Sequence, residues 1–250
     1  MQEMISISNP ELKFIADEPD MDIIALKIIW ERDRELWNVF AKRFPVFCQV
    51  DVWNEEKVGS ILKEIYPSIR RQLNDSRSNF EIWWRELEKD VYCFFNDFFQ
   101  AKSFFQKDNF YAAIGIAPIS PRDIAQKRFL VQYYLNKKEL LTKCIHEISH
   151  FYFYKKIEEF NIALGGLGLL DDKQLWILSE LIVPFLLRDK RFATLLGEVT
   201  LSSYVCKPVL LEKVKPIYEK RLLDIINIED FFLELARMEI KKDELNAKYT

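Results

Sequence analysis

Apolar residues recur three and four positions apart along most of the chain, the spacing of a helix with one buried face. Only six glycines and nine prolines interrupt that spacing. It predicts helices over 29–43, 55–73 and 79–99. The last would open on SNFE, with Ser78 capping the helix start and Glu81 reaching back to it. From Asn109 the texture changes. NFYAAIGIAPIS and RFLVQYYL are rich in β-branched and aromatic residues and are separated by the turn SPRD, so they are the two predicted strands. Asn136 followed by Glu139 then marks a helix start, and that helix runs through KKELLTKCIHEISHFYFYKKIEEF to end near NIALGGLG. Asp171 or Asp172 caps the next helix, DKQLWILSELIVPFLLRD. PIYEKRLLDIINIEDFFLELARMEI predicts terminal helices. The fold class read from this pattern is α+β and predominantly helical.

Composition narrows the partners. A chain of 250 residues that is 49% hydrophobic and 14% aromatic can fill a core, which excludes disorder. Its 36 basic and 39 acidic side chains leave a net charge of -3, so no overall field draws it to nucleic acid or to an anionic membrane. The longest strongly apolar run, LIVPFLL at 181–187, falls far short of the roughly 20 residues that span a bilayer. The N-terminal MQEMISISNPELK lacks the apolar stretch of a secretory signal. Four scattered cysteines without a CxxC pair read as reduced, mostly core thiols. Together these predict a cytoplasmic protein. The aromatic runs WW at 83–84 and FFNDFF at 94–99 lie at helical spacing and are expected in the core.

The chemistry concentrates in one place. Both histidines of the chain fall in HEISH, at 146 and 150. Four residues is about one helical turn, so the two imidazoles project from one side and can grip one metal ion. Glu147 lies about 100° round the helix, where it can touch a metal-bound water rather than the metal. Zinc acidifies such a water to a pKa near 7, and a neighbouring carboxylate can then take its proton. Chance alone gives this pattern roughly once in a thousand such chains, against which the plain alternative is two ordinary helix histidines.

With no other histidine, a third ligand has to be a carboxylate or a thiolate. Glu180 stands in LWILSELIVPFLL, apolar on nearly every side, where an unpartnered carboxylate would cost several kcal/mol to bury. A metal would remove that cost; the alternatives are an exposed stripe or an arginine partner. Glu198 is the next candidate ligand. Cys206 could cap a zinc ion, although a plain structural thiol is the commoner role.

HEISH on a helix, a glutamate helix about thirty residues later and a strand pair just upstream resemble the gluzincin group of zinc metallopeptidases, to which thermolysin and the minigluzincins belong. The resemblance covers about residues 109–190. It implies Zn2+ held by His146, His150 and Glu180, Glu147 as general base, and a peptide or protein substrate. The helices read before residue 105 and the change of texture after it divide the chain into a helical N-terminal region at 1–105 and a zincin-like catalytic domain at 106–250, in which the resemblance implies a small antiparallel sheet packed on the HEISH helix and the glutamate helix. In that group an upstream edge strand holds the substrate backbone, and its counterpart would be NFYAAIGI or RFLVQYYL. A tyrosine steadying the oxyanion would be Tyr204 or Tyr218, with Tyr204 taken as the catalytic candidate. The chain departs from the group at Pro184, where an aspartate often orients the first histidine. Asp171, Asp172 and Asp189 remain for that role. A second reading keeps the zinc helix in a latent or non-catalytic regulatory protein.

Overall fold

The computed structural model describes residues 10–16, 19–101, 104–105, 108–163, 170–197 and 206–246. The described residues are predominantly helical with one small sheet, the expected α+β class. They fall into two compact units. One draws its residues from Pro10–Glu86 and Lys107–Cys144, the other from Leu87–Gln106 and Ile145–Thr250. Among the described residues the chain therefore crosses between units near 86, 106 and 144.

The first unit carries the sheet, built from β1 (Glu11–Ile15), β2 (Asn109–Gly115), β3 (Arg122–Asp123) and β4 (Arg128–Gln132), in the order β1-β2-β4-β3. The sheet is mixed, not antiparallel. β1 and β4 both run parallel to β2, and only the two-residue β3 pairs antiparallel with β4. β2 lies between two partners and is buried from Ala112 to Gly115, as a parallel strand covered on both faces should be. NFYAAIGI is thus not an edge strand, because β1, which the sequence pattern missed, closes its free side. RFLVQYYL supplies β4, which is also flanked on both sides. The outer strands among the described residues are β1 and β3.

The helices of this unit are α1 (Asp20–Arg32), α2 (Arg34–Arg43) and α3 (Glu55–Arg85). The break between α1 and α2 falls at Asp33, whose carboxylate accepts the Leu36 amide as an N-cap. The predicted gap at 74–78 does not exist. α3 passes straight through, Ser78 donates its hydroxyl to the Asn74 carbonyl one turn back, and the helix opens at Asn54 instead. Leu73, Phe80 and Trp84 keep one face buried across that polar stretch, which outweighs the loop-like composition of NDSRSN.

One buried carboxylate ties α1 and α3 to the sheet. Asp22 accepts the Ile116 amide (3.0 Å), the Ala117 amide (2.7 Å) and the Tyr66 hydroxyl. Burial pushes its carboxyl above the ordinary 3.8, while the phenol and the two amides pull it down. Gly115 is required by this clamp, since a Cβ there would overlap the Asp22 carboxylate.

The second unit contains α4 (Glu88–Phe98), the greater part of α5 (Lys137–Ala163), α6 (Asp172–Leu186), α7 (Lys190–Leu196), α8 (Pro208–Leu222) and α9 (Ile228–Arg237). Asn136 and Glu139 form the predicted reciprocal cap of α5, and Asp171 with Gln174 does the same for α6. The FFNDFF phenylalanines are buried, as expected, with Phe95 against Tyr152 and Phe98 against Tyr218 and Phe231. Buried Arg221 of α8 donates to the carbonyls of Asp97 and Phe98 at the end of α4. Its positive charge also suits the negative end of that helix.

Candidate metal centre

From Cys144 to Phe153, α5 is buried at every position except His146. A helix buried nearly all round has little use for polar side chains, yet HEISH places four in this stretch. Each therefore needs a partner. Ser149 finds one within the helix, donating to the His146 carbonyl at 2.7 Å. In α6, Ser179 donates to the Trp176 carbonyl at the same distance. The sequence pattern had not singled these serines out. The signal was a serine directly before each of His150 and Glu180 in otherwise apolar helices.

The remaining polar atoms converge. The imidazole rings of His146 and His150 lie 4.9 Å apart, one above the other on the helix. Glu180 of α6 meets both, with Oε2 at 3.4 Å from His146 Nε2 and Oε1 at 3.4 Å from His150 Nε2. Both separations exceed the range of about 2.7 to 3.2 Å for a good N–H···O hydrogen bond. They match a different geometry. Four donors set tetrahedrally at 2.0–2.1 Å around zinc are separated from one another by about 3.3 to 3.4 Å. Each of the two separations falls in that range, one to each Glu180 oxygen, so these residues could hold a zinc ion.

Two carboxylates compete for the role of third ligand. The donor atoms of His146, Glu147 and His150 all lie within 4.8 Å of one another, but Glu147 Oε1 is 3.9 Å from His146 Nε2. Glu180 is nearer, and it reaches both imidazoles with separate oxygens. Both carboxylates are thus candidates for the third ligand, Glu180 by its nearness to the imidazoles and Glu147 by its place in the three-donor group.

Burial is steep at this site. The side chains of His150, Glu180 and Glu147 are 0%, 1% and 2% exposed, and His146 is 17% exposed. Carboxylates buried to this degree need a compensating partner, and a divalent cation held between them and the imidazoles would supply one. The exposed-stripe alternative for Glu180 is ruled out by its burial, and both imidazoles are among its ion-pair partners.

Other predicted residues fare differently. Tyr204 and Glu198 lie outside the described residues. Tyr218 is buried between Phe98 and Phe185, and burial pushes its phenol far above its ordinary value. Cys206 is a buried thiol bridged by its backbone to Leu245. Cys144 is also buried, but Cys48 and Cys93 are exposed, so only half of the thiols are core, and none of the four forms a disulfide. Asp171 caps α6 and Asp189 accepts from Arg191 at 2.8 Å. Pro184 removes the amide that would have bonded the Glu180 carbonyl, opening the helix ladder at the glutamate.

Comparison with protein-family models, with curated proteins and with solved structures gave no match.

Proposed function

We propose that the chain is a zinc-dependent peptidase of the gluzincin type, acting on peptide or protein substrates in the cytoplasm. The observation that carries this is the pair of 3.4 Å separations from the Glu180 carboxylate to the two HEISH imidazoles. His146, His150 and Glu180 would hold the ion. Zinc bound there supplies Lewis acidity and an acidified water in its open position. Glu147, adjacent but not a ligand, takes the proton from the attacking water and returns it to the leaving amine. Its burial keeps the carboxylate fixed in a low-dielectric setting, where proton transfer depends on short distances.

The test is Glu147→Gln, which keeps the shape and removes the base. The variant retains zinc and loses hydrolysis of denatured protein by a factor of 10² to 10⁴, as removal of a general base does. Full activity in that variant would exclude the mechanism.

One observation favours a second reading, a latent or regulatory zinc protein. Glu147 is only 2% exposed, so the base is closed to solvent in this conformation. Stoichiometric zinc without turnover of any denatured protein or peptide library would select it.

A further inference from the structure

Two serines stand at equivalent places beside the candidate ligands. Ser149 directly precedes His150 in α5 and Ser179 directly precedes Glu180 in α6, and both are buried. Alanine would be the easier residue at either place, because it forms helix better and brings no polar group to bury. Each hydroxyl donates to the carbonyl three residues back, Ser149 to His146 and Ser179 to Trp176, both at 2.7 Å.

Those two carbonyls already have a helical role. In an α-helix the amide of each residue bonds the carbonyl four residues back. The His146 carbonyl is thus the one that faces the His150 amide, and the Trp176 carbonyl faces the Glu180 amide. Each serine shares the acceptor of the ligand that follows it. In α5 that acceptor belongs to the other histidine, so the hydroxyl is tied into the turn that sets the two rings 4.9 Å apart. In α6 the ladder is altered on the far side of Glu180 as well, because Pro184 has no amide to offer the Glu180 carbonyl. A hydroxyl competing for a helical carbonyl, or a proline removing a ladder bond, changes the local direction of a helix. The Glu180 carboxylate reaches the two imidazoles at 3.4 Å each, so a small shift of its backbone would lengthen one separation at the expense of the other.

We infer that Ser149 and Ser179 are positioning residues of the metal centre, whose hydroxyls set the two helical turns that bring the Glu180 carboxylate and both imidazoles to one ion. This rests on the metal centre of the reading above and is independent of peptide cleavage.

The test compares the full chain with Ser149→Ala and Ser179→Ala after removal of metal. Zinc affinity is read by competition with a chromophoric chelator, coordination by the visible absorption of the cobalt(II) form, and folding by the thermal midpoint of the metal-free protein. Each alanine variant is expected to bind zinc about tenfold more weakly and to shift the cobalt bands, with a metal-free midpoint equal to that of the wild type or higher. Ser149→Thr and Ser179→Thr keep the hydroxyl and are expected to recover affinity; where the added methyl lowers the metal-free midpoint, the alanine comparison decides. Ser76→Ala removes a serine–carbonyl bond of the other unit, to Tyr133 at 2.6 Å, and is expected to change neither affinity nor spectrum. Wild-type affinity and spectrum in both alanine variants overturn the inference while metal uptake leaves the centre standing. So does a loss of affinity matched by a fall in the metal-free midpoint, or an equal loss in threonine variants of unchanged midpoint. A wild type that takes up neither zinc nor cobalt fails the metal reading itself, and this inference with it.

Discussion

A glutamate set among leucines and isoleucines costs several kcal/mol to bury unless something offsets its charge. That made Glu180 readable in LSELIVP, and the structure supplies what the letters could not, two imidazole nitrogens at 3.4 Å. HEISH was equally legible, because a four-residue spacing fixes which way both rings point. Residues that act through tertiary neighbours were not legible. Asp22 is an ordinary helix letter in MDII, and its role depends on Tyr66 and on the Ile116 and Ala117 amides, far away in sequence. Replacing it by leucine strands three buried donors and is expected to destabilise its unit by roughly 3 kcal/mol or more. Asparagine keeps one acceptor oxygen and is expected to cost about 1 kcal/mol. Urea unfolding of the two variants checks this, and equal costs would show that the clamp is not what holds α1.

Among elements, the caps of α5 and α6 were readable because Asn136–Glu139 and Asp171–Gln174 act within four residues. Strand partners were not. β1 offers five residues, ELKFI, whose pairing with β2 spans nearly a hundred positions. Whether neighbours run parallel is likewise absent from a local pattern, although the buried run in β2 was a hint. The C-terminal segment allows a pH test. The Glu244 carboxylate pairs with Lys213 and accepts the Lys241 amide, while its backbone carbonyl accepts the Lys207 amide at the start of α8. The Lys213 ammonium first, then the Lys241 amide, hold its carboxyl below the ordinary 4.5. A depressed value contributes stability that is present above about pH 4.5 and is lost as pH falls through the folded value. Thermal midpoints of the wild type and Glu244→Gln are expected to differ at neutral pH and to converge in acid. Parallel curves across that range would remove the carboxylate from the anchor.

At the scale of the whole molecule, the described chain passes between the two units three times, which one boundary in a sequence could not express. Among the described residues, no helix is long and apolar enough to cross a membrane. If the centre holds zinc, the unit around it depends on the ion, because Glu180 and Glu147 are buried beside a buried imidazole. Ion present at about a thousandfold its dissociation constant contributes about 4 kcal/mol. Chelation is therefore expected to lower that unit's unfolding midpoint by about 10 °C, read by calorimetry. The most direct measurement is elemental analysis of the purified chain beside His150→Ala and Glu180→Ala. The wild type is expected to carry about one zinc ion per chain and both variants far less, as loss of one ligand from a three-residue site requires. A wild-type chain that holds no zinc and takes none up on dialysis, or variants that keep the full complement, would contradict the centre.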